Sequence, residues 1–451
     1  MQNLLPLETP DFIRVITLLE DGRNVFLTGS AGTGKSYILE HLKQYYGDRM
    51  VLTSTTGISA VNIKGQTIHS WAGVECMETP IEELVEIISM QNFGEVGRIK
   101  RRIRKCEILA IDEISMLSAY ALEYLDLYFR AARGKEEPFG GLQVLLIGDF
   151  LQLPPVFTES DKKYPKKGWH CFRSPVWGEL DLKPVLLKRV YRQDNINFAN
   201  ILGRIRLGII TSNDMKVMST CYCEESEKLQ NKLHIFPTKR EVYNYNKMRL
   251  ENIDAEECTF FAIDDIYYPD EMDENKKNDY ISKIYKRLKK ECSADKKITL
   301  KVGCRVMLLV NSSLEKGLAN GTCGKVISIT NGYIEVLFDN GVVEKIKRTV
   351  FELQEDDKVI AKRIQFPLKL AYAVTVHKSQ GMTFDEIVIN CKKAFTAGQI
   401  YVALSRVKTL NGLHITGFAK NKLYPDNNAR VFYSELEEEC SYGLLKPAHH
   451  F

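Results

Sequence analysis

Apolar positions in the first part of the chain fall in short unbroken runs: Val25–Thr28, Met50–Thr53, Glu107–Ile111 and Val144–Ile147. Runs of this length, each ending where polar chemistry begins, read as buried strands. Helical spacing after the first, in Tyr37-Ile38-Leu39-Glu40-His41-Leu42, predicts the crossovers of a parallel α/β sheet whose strand ends carry a ligand. Downstream the pattern changes to alternation through Arg305–Val310, Gly324–Ile329, Tyr333–Phe338 and Val342–Ile346, with turn pairs Asn320-Gly321, Asn331-Gly332 and Asn340-Gly341. That predicts a small antiparallel barrel or meander over 299–353. Buried-strand character returns at Ala371–Val376 and Glu386–Cys391, so a second α/β lobe is split by an insertion. The stretch 254–298, rich in lysine and acid around Tyr267–Lys297, holds no α/β pattern and reads as inserted, with 264–297 expected to be solvated surface. Residues after about 425 read as a short terminal tail.

Composition narrows this picture little. A chain of 451 residues needs two to four domains. Its 62 basic residues against 58 acidic ones confine any nucleic-acid site to a local groove. No apolar amino-terminal segment or membrane span is evident, and the 11 cysteines show no metal-binding spacing, so a reducing intracellular compartment is expected. Cys221-Tyr-Cys223 reads as buried thiols rather than a zinc site.

The chemistry starts at residues 25–36, V-F-L-T-G-S-A-G-T-G-K-S, where a strand enters a glycine loop and a helix follows. Such a loop wraps a polyphosphate with backbone N–H groups. Gly29, Gly32, Thr33 and Gly34 form the cradle, Lys35 reaches the β and γ phosphates, and the Ser36 hydroxyl suits Mg²⁺. Asp112 and Glu113 end the third run. The first is assigned to the metal and the second to the general base of a hydrolytic reaction. Gln152, in G-D-F-L-Q-L-P-P, is placed to sense a γ phosphate. Arg192 in L-K-R-V-Y-R-Q and Arg406 in Y-V-A-L-S-R are candidates to stabilise the charge of phosphoryl transfer from segments beyond the first lobe.

These segments, with T-S-T-T-G-I-S-A-V-N-I-K-G-Q-T-I-H-S-W-A-G, I-D-E-I-S-M and V-H-K-S-Q-G-M-T-F-D, stand in a familiar order over residues 24–407. The chain resembles the superfamily-one helicases of 5′-to-3′ polarity and, within them, the PIF-type (petite integration frequency) helicases; it looks like a bacterial member. Ser115–Arg133 is similar to that family's signature helix region.

The resemblance implies an α/β fold of two RecA-like parallel-sheet lobes with a small SH3-like β insertion in the second. Lobe 1A would span 1–186, with a wedge-bearing 1B excursion near 62–74. Lobe 2A would span 187–253 and 366–425, and an inserted 2B domain 254–365, followed by the tail 426–451. It also implies ATP and Mg²⁺ as cofactors and adds Gln380 to Gln152 as a coupler of the γ phosphate, with Arg192 and Arg406 as arginine fingers. The implied partners are single-stranded DNA and its junctions with duplex, G-quadruplexes or RNA–DNA hybrids, handled by a monomer in the cytoplasm or nucleoid and not at a membrane. One departure stands out: Leu7–Phe12 offers no glutamine where the family reads adenine.

A translocating ATPase grips backbone without regard to sequence. Thr55, Thr56, Ser59, Thr67, His69 and Ser70 are candidates in the first lobe, and Pro237, Thr238, His377 and Lys378 resemble the matching contacts in the second. Trp71 reads equally as core or stacking platform. Arg98–Lys105 places Ile99 and Ile103 on one face and reads as a solvated amphipathic helix, with strand guidance as the alternative.

Overall fold

The computed structural model describes residues 9–444 except 75–76, 78–79, 91–92, 158–164, 225, 231, 269–273, 311, 319–320 and 356–357. Leu7 and Glu8, Asn320 of the first turn pair, and parts of the lysine-rich stretch and of the expected tail therefore lie outside the described residues. The chain forms two compact units. One contains the described residues up to Tyr222, Val376–Asp385 and those from Cys391 onward; the other contains Cys223–Thr375 and Glu386–Asn390.

The first unit is built on a six-stranded parallel sheet of β1 (Val25–Gly29), β2 (Met50–Ser54), β3 (Gln66–Thr67), β4 (Ile108–Asp112), β5 (Gln143–Gly148) and β6 (Lys183–Leu187), in the order β3-β2-β4-β5-β1-β6. β1 and β4 are buried along their whole length, which is why their sequences run apolar without alternation. Helices Pro10–Glu20 and Lys35–Tyr46 cover one face through Phe12, Val15, Leu39 and Leu42. On the other face, helix Ala119–Arg133 packs Leu122, Leu125 and Phe129 into a second core, with Ile99 and Ile103 of helix Gly94–Lys105. Trp71 belongs to the same core, 5% exposed, with its ring 5.9 Å from that of Phe129.

The expected tail is corrected by the structure. Asn427–Leu444 is an 18-residue helix, and Ala429, Phe432, Tyr433 and Leu436 place it in the first unit's core. Those positions follow i, i+3, i+4, i+7, a helical stripe obscured in the sequence by the acidic run Glu435–Glu439.

In the second unit Leu233–Phe236 lies between parallel neighbours Ala373–Thr375 and Ile387–Asn390. The alternating region forms a five-stranded antiparallel sheet, ordered Val343–Ile346, Ile334–Phe338, Cys323–Ile329, Arg305–Leu308 and Leu368–Leu370. The lysine-rich stretch is not surface alone. Its helix Glu274–Glu291 buries Ile284 and Leu288 against Leu353, Ile360 and Ala361 of a separate three-stranded sheet. No described helix is long and apolar enough to cross a membrane.

Candidate nucleotide and nucleic-acid site

The loop after β1 adopts a conformation that its glycines permit. Gly32 has φ +82°, and a Cβ there would fall 2.5 Å from the Cβ of Arg192. That close approach comes from backbone: the N–H groups of Tyr191 and Arg192 donate to Gly32 O at 2.8 and 3.3 Å. Arg192 therefore packs on the phosphate loop within one compact unit, although its place in the sequence suggested a different lobe. Gly34 (φ +88°) caps helix Lys35–Tyr46, whose amino-terminus favours an anion. Lys35 Nζ donates to the carbonyls of Gly29 and Ser30 at 2.7 and 2.9 Å. Burial of its ammonium holds Lys35 below its ordinary pKa, against the opposing pull of Asp149, Glu113 and Asp112. Thr33 Oγ1 braces the loop by donating to Ser30 O, and Ser36 is exposed at the helix start.

Asp112 and Glu113 sit at the end of β4, beside the loop's charge. Asp112 is 5% exposed, and burial, then the neighbouring Glu113, push its pKa well above the carboxylate range. A buried carboxylate in this condition fits a divalent cation, and with the Ser36 hydroxyl it offers the hard oxygen ligands Mg²⁺ takes. Among the described residues no group of three or more His, Cys, Asp or Glu could hold a metal ion. Glu113 has φ +54°, uncommon for a residue with a Cβ and costing about 1–3 kcal/mol. Gln380 Nε2 donates to Glu113 Oε2 at 2.9 Å, and Gln380 Oε1 is buried with no hydrogen-bond partner among the described residues.

Two arginines flank this acid. Arg406 is 1% exposed, and among the described residues its guanidinium donates to neutral groups: Val402 O at 2.8 Å, Met382 O at 3.4 Å and Ser405 Oγ at 2.8 Å. Burial, and then repulsion from Arg192, lower its pKa to about 9. Arg192 donates to Ser405 O at 3.2 Å and is likewise lowered by burial. A buried cation whose bonds are all to neutral oxygens is costly unless an anion arrives.

Sequence reasoning missed four contributors to this arrangement. Asp149 is fully buried and held by a fork from Arg206, with contacts of 2.7–3.2 Å, and Gln152 Nε2 donates to it at 3.3 Å. Burial pushes Asp149 up, but Arg206 outweighs it and holds the carboxylate below its ordinary value. Tyr401 OH accepts the Ala31 N–H of the loop at 2.8 Å. Gly398 (φ +71°) lets helix Gln399–Leu404 start directly against the Leu151 and Gln152 carbonyls, where any Cβ would collide. Asp149, Tyr401 and Gly398 lay in or beside quoted motifs; Arg206 carried no such signal.

The strand-binding candidates are less uniform. Thr55 is half-buried, and its hydroxyl donates to Glu113 O at 2.8 Å, tying that segment to the acid. Thr56 is half-buried, whereas Ser59 is 3% exposed and accepts the Thr56 hydroxyl proton. Thr67 caps helix Ile68–Ala72, His69 is half-buried, and Ser70 is exposed with its carbonyl held by Arg102. Lys378 is exposed, and His377 stacks at 6.4 Å on Phe395. In the second unit Pro237 is buried, while Thr238 caps helix Lys239–Glu251.

Known proteins resemble this chain over most of its length. Residues 11–216 match the description "PIF1-like helicase", and residues 283–329 match "DNA helicase Pif1, 2B domain". The chain is 32% identical to the ATP-dependent DNA helicase Pif1 of Bdellovibrio bacteriovorus, over 95% of this chain and 92% of that one. It is 33% identical to the Xenopus laevis ATP-dependent DNA helicase PIF1 over 94% of its length, spanning 64% of that longer protein. Among solved structures it is similar to a Bacteroides Pif1 in complex with ADP-AlF4 (TM-score 0.75, 30% identity, 97% of this chain and 98% of that one). The same protein bound to single-stranded DNA gives a TM-score of 0.71 at 30% identity, with 98% of each chain covered.

Proposed function

Because the chain belongs to the PIF1-like helicases, we propose that it is an ATP-dependent DNA helicase that steps along single-stranded DNA towards the 3′ end and parts the duplex ahead. The observation that carries the reading is the gathering of Lys35, Asp112, Glu113, Gln380, Arg192 and Arg406 in one compact unit, two of them cations that have no carboxylate hydrogen-bond partner among the described residues.

Hydrolysis follows from these groups. The loop amides and Lys35 hold the β and γ phosphates. Glu113 takes a proton from the attacking water, and Gln380, anchored to Glu113 through its amide nitrogen, has its oxygen left to orient that water. Arg192 and Arg406 face charge that grows on the transferring phosphoryl group, where a guanidinium contributes most. Mg²⁺, held by Ser36 and Asp112, would supply charge neutralisation to the phosphates when bound. Gln152 senses the γ phosphate next to the Asp149 carboxylate.

DNA is gripped by Thr55, Thr56, Ser59, Thr67, His69, Ser70, Pro237, Thr238, His377 and Lys378, with 62–74 as the wedge. Thr55 is the link from strand to chemistry, since its hydroxyl bonds the Glu113 carbonyl. The lobe limits 1–186, 187–253 with 366–425, and 254–365, with an SH3-like module at 299–353, are the matching domain reading. A monomer acting on forks, G-quadruplexes or RNA–DNA hybrids in the cytoplasm or nucleoid, in repair and recombination, completes the proposal. DNA stacking averages about 1.4 kcal/mol per base-pair step, so little work is needed per pair.

The test is ATP-driven opening of matched partial duplexes with a 5′ or a 3′ single-stranded tail. Only the 5′-tailed duplex should open, and Glu113→Gln should bind it but not open it. If neither opens while single-stranded DNA still stimulates hydrolysis, the chain is a remodelling motor and not a helicase.

A further inference from the structure

The carboxy-terminal helix does more than fill the core. Tyr433, 3% exposed, brings its hydroxyl within 2.6 Å of Thr28 Oγ1, and the same hydroxyl accepts the Phe150 N–H at 3.2 Å. Thr28 Oγ1 donates to Gly148 O at 2.8 Å. A hydroxyl has one proton, and that of Thr28 is committed to a carbonyl, so Tyr433 is the donor in the 2.6 Å contact. Phe150 N–H, Tyr433 O–H, Thr28 O–H and Gly148 C=O are therefore joined by three directed hydrogen bonds, and the backbone through Asp149 closes the circuit.

Each end of the circuit touches the chemistry. Thr28 precedes Gly29, whose carbonyl accepts Lys35 Nζ. Asp149 accepts from the Leu151 N–H and from Gln152 Nε2, and Arg206 lies between its carboxylate and the Tyr433 ring, 4.7 Å from the ring centroid. Burial and the Asp149 charge keep the phenol protonated. No sequence motif included Tyr433 or Arg206.

We propose that Tyr433 is a positioning residue for ATP hydrolysis, its hydroxyl fixing the Asp149 turn and so the placement of Gln152 relative to the Lys35 loop. This rests on the reading of Gln152 as the γ-phosphate sensor. Tyr433→Phe keeps the ring over Arg206 and removes only the hydroxyl, leaving the Phe150 N–H and Thr28 without their partner.

The experiment measures DNA-stimulated ATP hydrolysis, ADP affinity and thermal unfolding for the full chain and for Tyr433→Phe, Thr28→Val and the double variant. Each single variant should lower kcat about tenfold with ADP affinity within twofold of the parent, and the double should lose no more than either single, because one circuit is broken once. Phe432→Leu, on the same helix and stacked on Phe172, should lower the unfolding temperature and leave kcat unchanged. Thr28→Val carries the test alone if Tyr433→Phe does not fold. A kcat within twofold of the parent, a lowered unfolding temperature with intact kcat, or equal losses of ADP affinity and kcat would overturn the positioning role while an active parent keeps the helicase reading. A parent without DNA-stimulated hydrolysis would overturn both.

Discussion

Arg206 and Arg406 lie in the same unit, with side chains 12% exposed and 1% exposed as a residue, respectively. Arg206 meets a buried carboxylate in a fork, backed by a tyrosine face. Arg406 meets two carbonyls and a hydroxyl. Their pKa values diverge accordingly. Burial disfavours both cations, but Asp149 outweighs it for Arg206 and holds that guanidinium above its ordinary range, whereas burial and the nearby Arg192 lower Arg406 to about 9. One region has satisfied its charge and is built to stay still. The other carries charge in excess of what the fold supplies, the condition of a group whose partner is the substrate.

Substitutions should separate the two regions. Arg406→Gln should leave nucleotide binding near the parental level and slow hydrolysis by about 10³–10⁵, read in single-turnover assays. Arg206→Met strands the buried Asp149, and urea unfolding of the first unit should show a loss of about 3–5 kcal/mol. Arg406→Met, by contrast, strands no carboxylate and should be close to neutral in the same assay. A smaller effect is expected at the helix that backs Arg206: Leu436→Ala should lower stability by about 2 kcal/mol, with Arg406-dependent chemistry unaltered.

The least effect is on acid stability. Asp149 has a depressed folded pKa, so its contribution is complete above its unfolded value of about 4 and is lost as pH falls through the lower folded value. The parent should therefore lose an increment of stability below about pH 4 that Asp149→Asn lacks, seen in denaturant midpoints across that range.

The same contrast explains what was legible in the sequence. Lys35, Asp112, Glu113 and Arg406 sit in short motifs whose residue types are dictated by phosphate chemistry, and buried parallel strands announce themselves as apolar runs. The Arg206–Asp149–Tyr433 group joins residues up to 284 positions apart in sequence, and its pairing depends on a helix whose apolar stripe was masked by neighbouring glutamates. The lysine-rich helix Glu274–Glu291 misled for the same reason: Ile284 and Leu288 are two core positions amid charge. In the basic helix Gly94–Lys105 the spacing places Ile99 and Ile103 on one face, and both are buried, but Lys100 beside them is buried as well, which the expectation of a solvated charged face does not include. Local motifs are legible, whereas tertiary pairing of buried polar groups is not, since no spacing rule constrains it. Arg192 shows the limit from the other side: its role was assigned from its motif, but its backbone contact with Gly32 required the fold.

Among the described residues the Arg406 guanidinium bonds neutral oxygens, which suits it to the charge of the transferring phosphoryl group. The most direct measurement compares the affinities of ADP and of ADP–aluminium fluoride, a mimic of that charge, for the full chain and for Arg406→Gln in the presence of single-stranded DNA. Arg406→Gln should lose affinity for the mimic by at least about a hundredfold while ADP binds as in the parent. Equal affinity of the two proteins for the mimic, or an equal loss for both ligands, would contradict it.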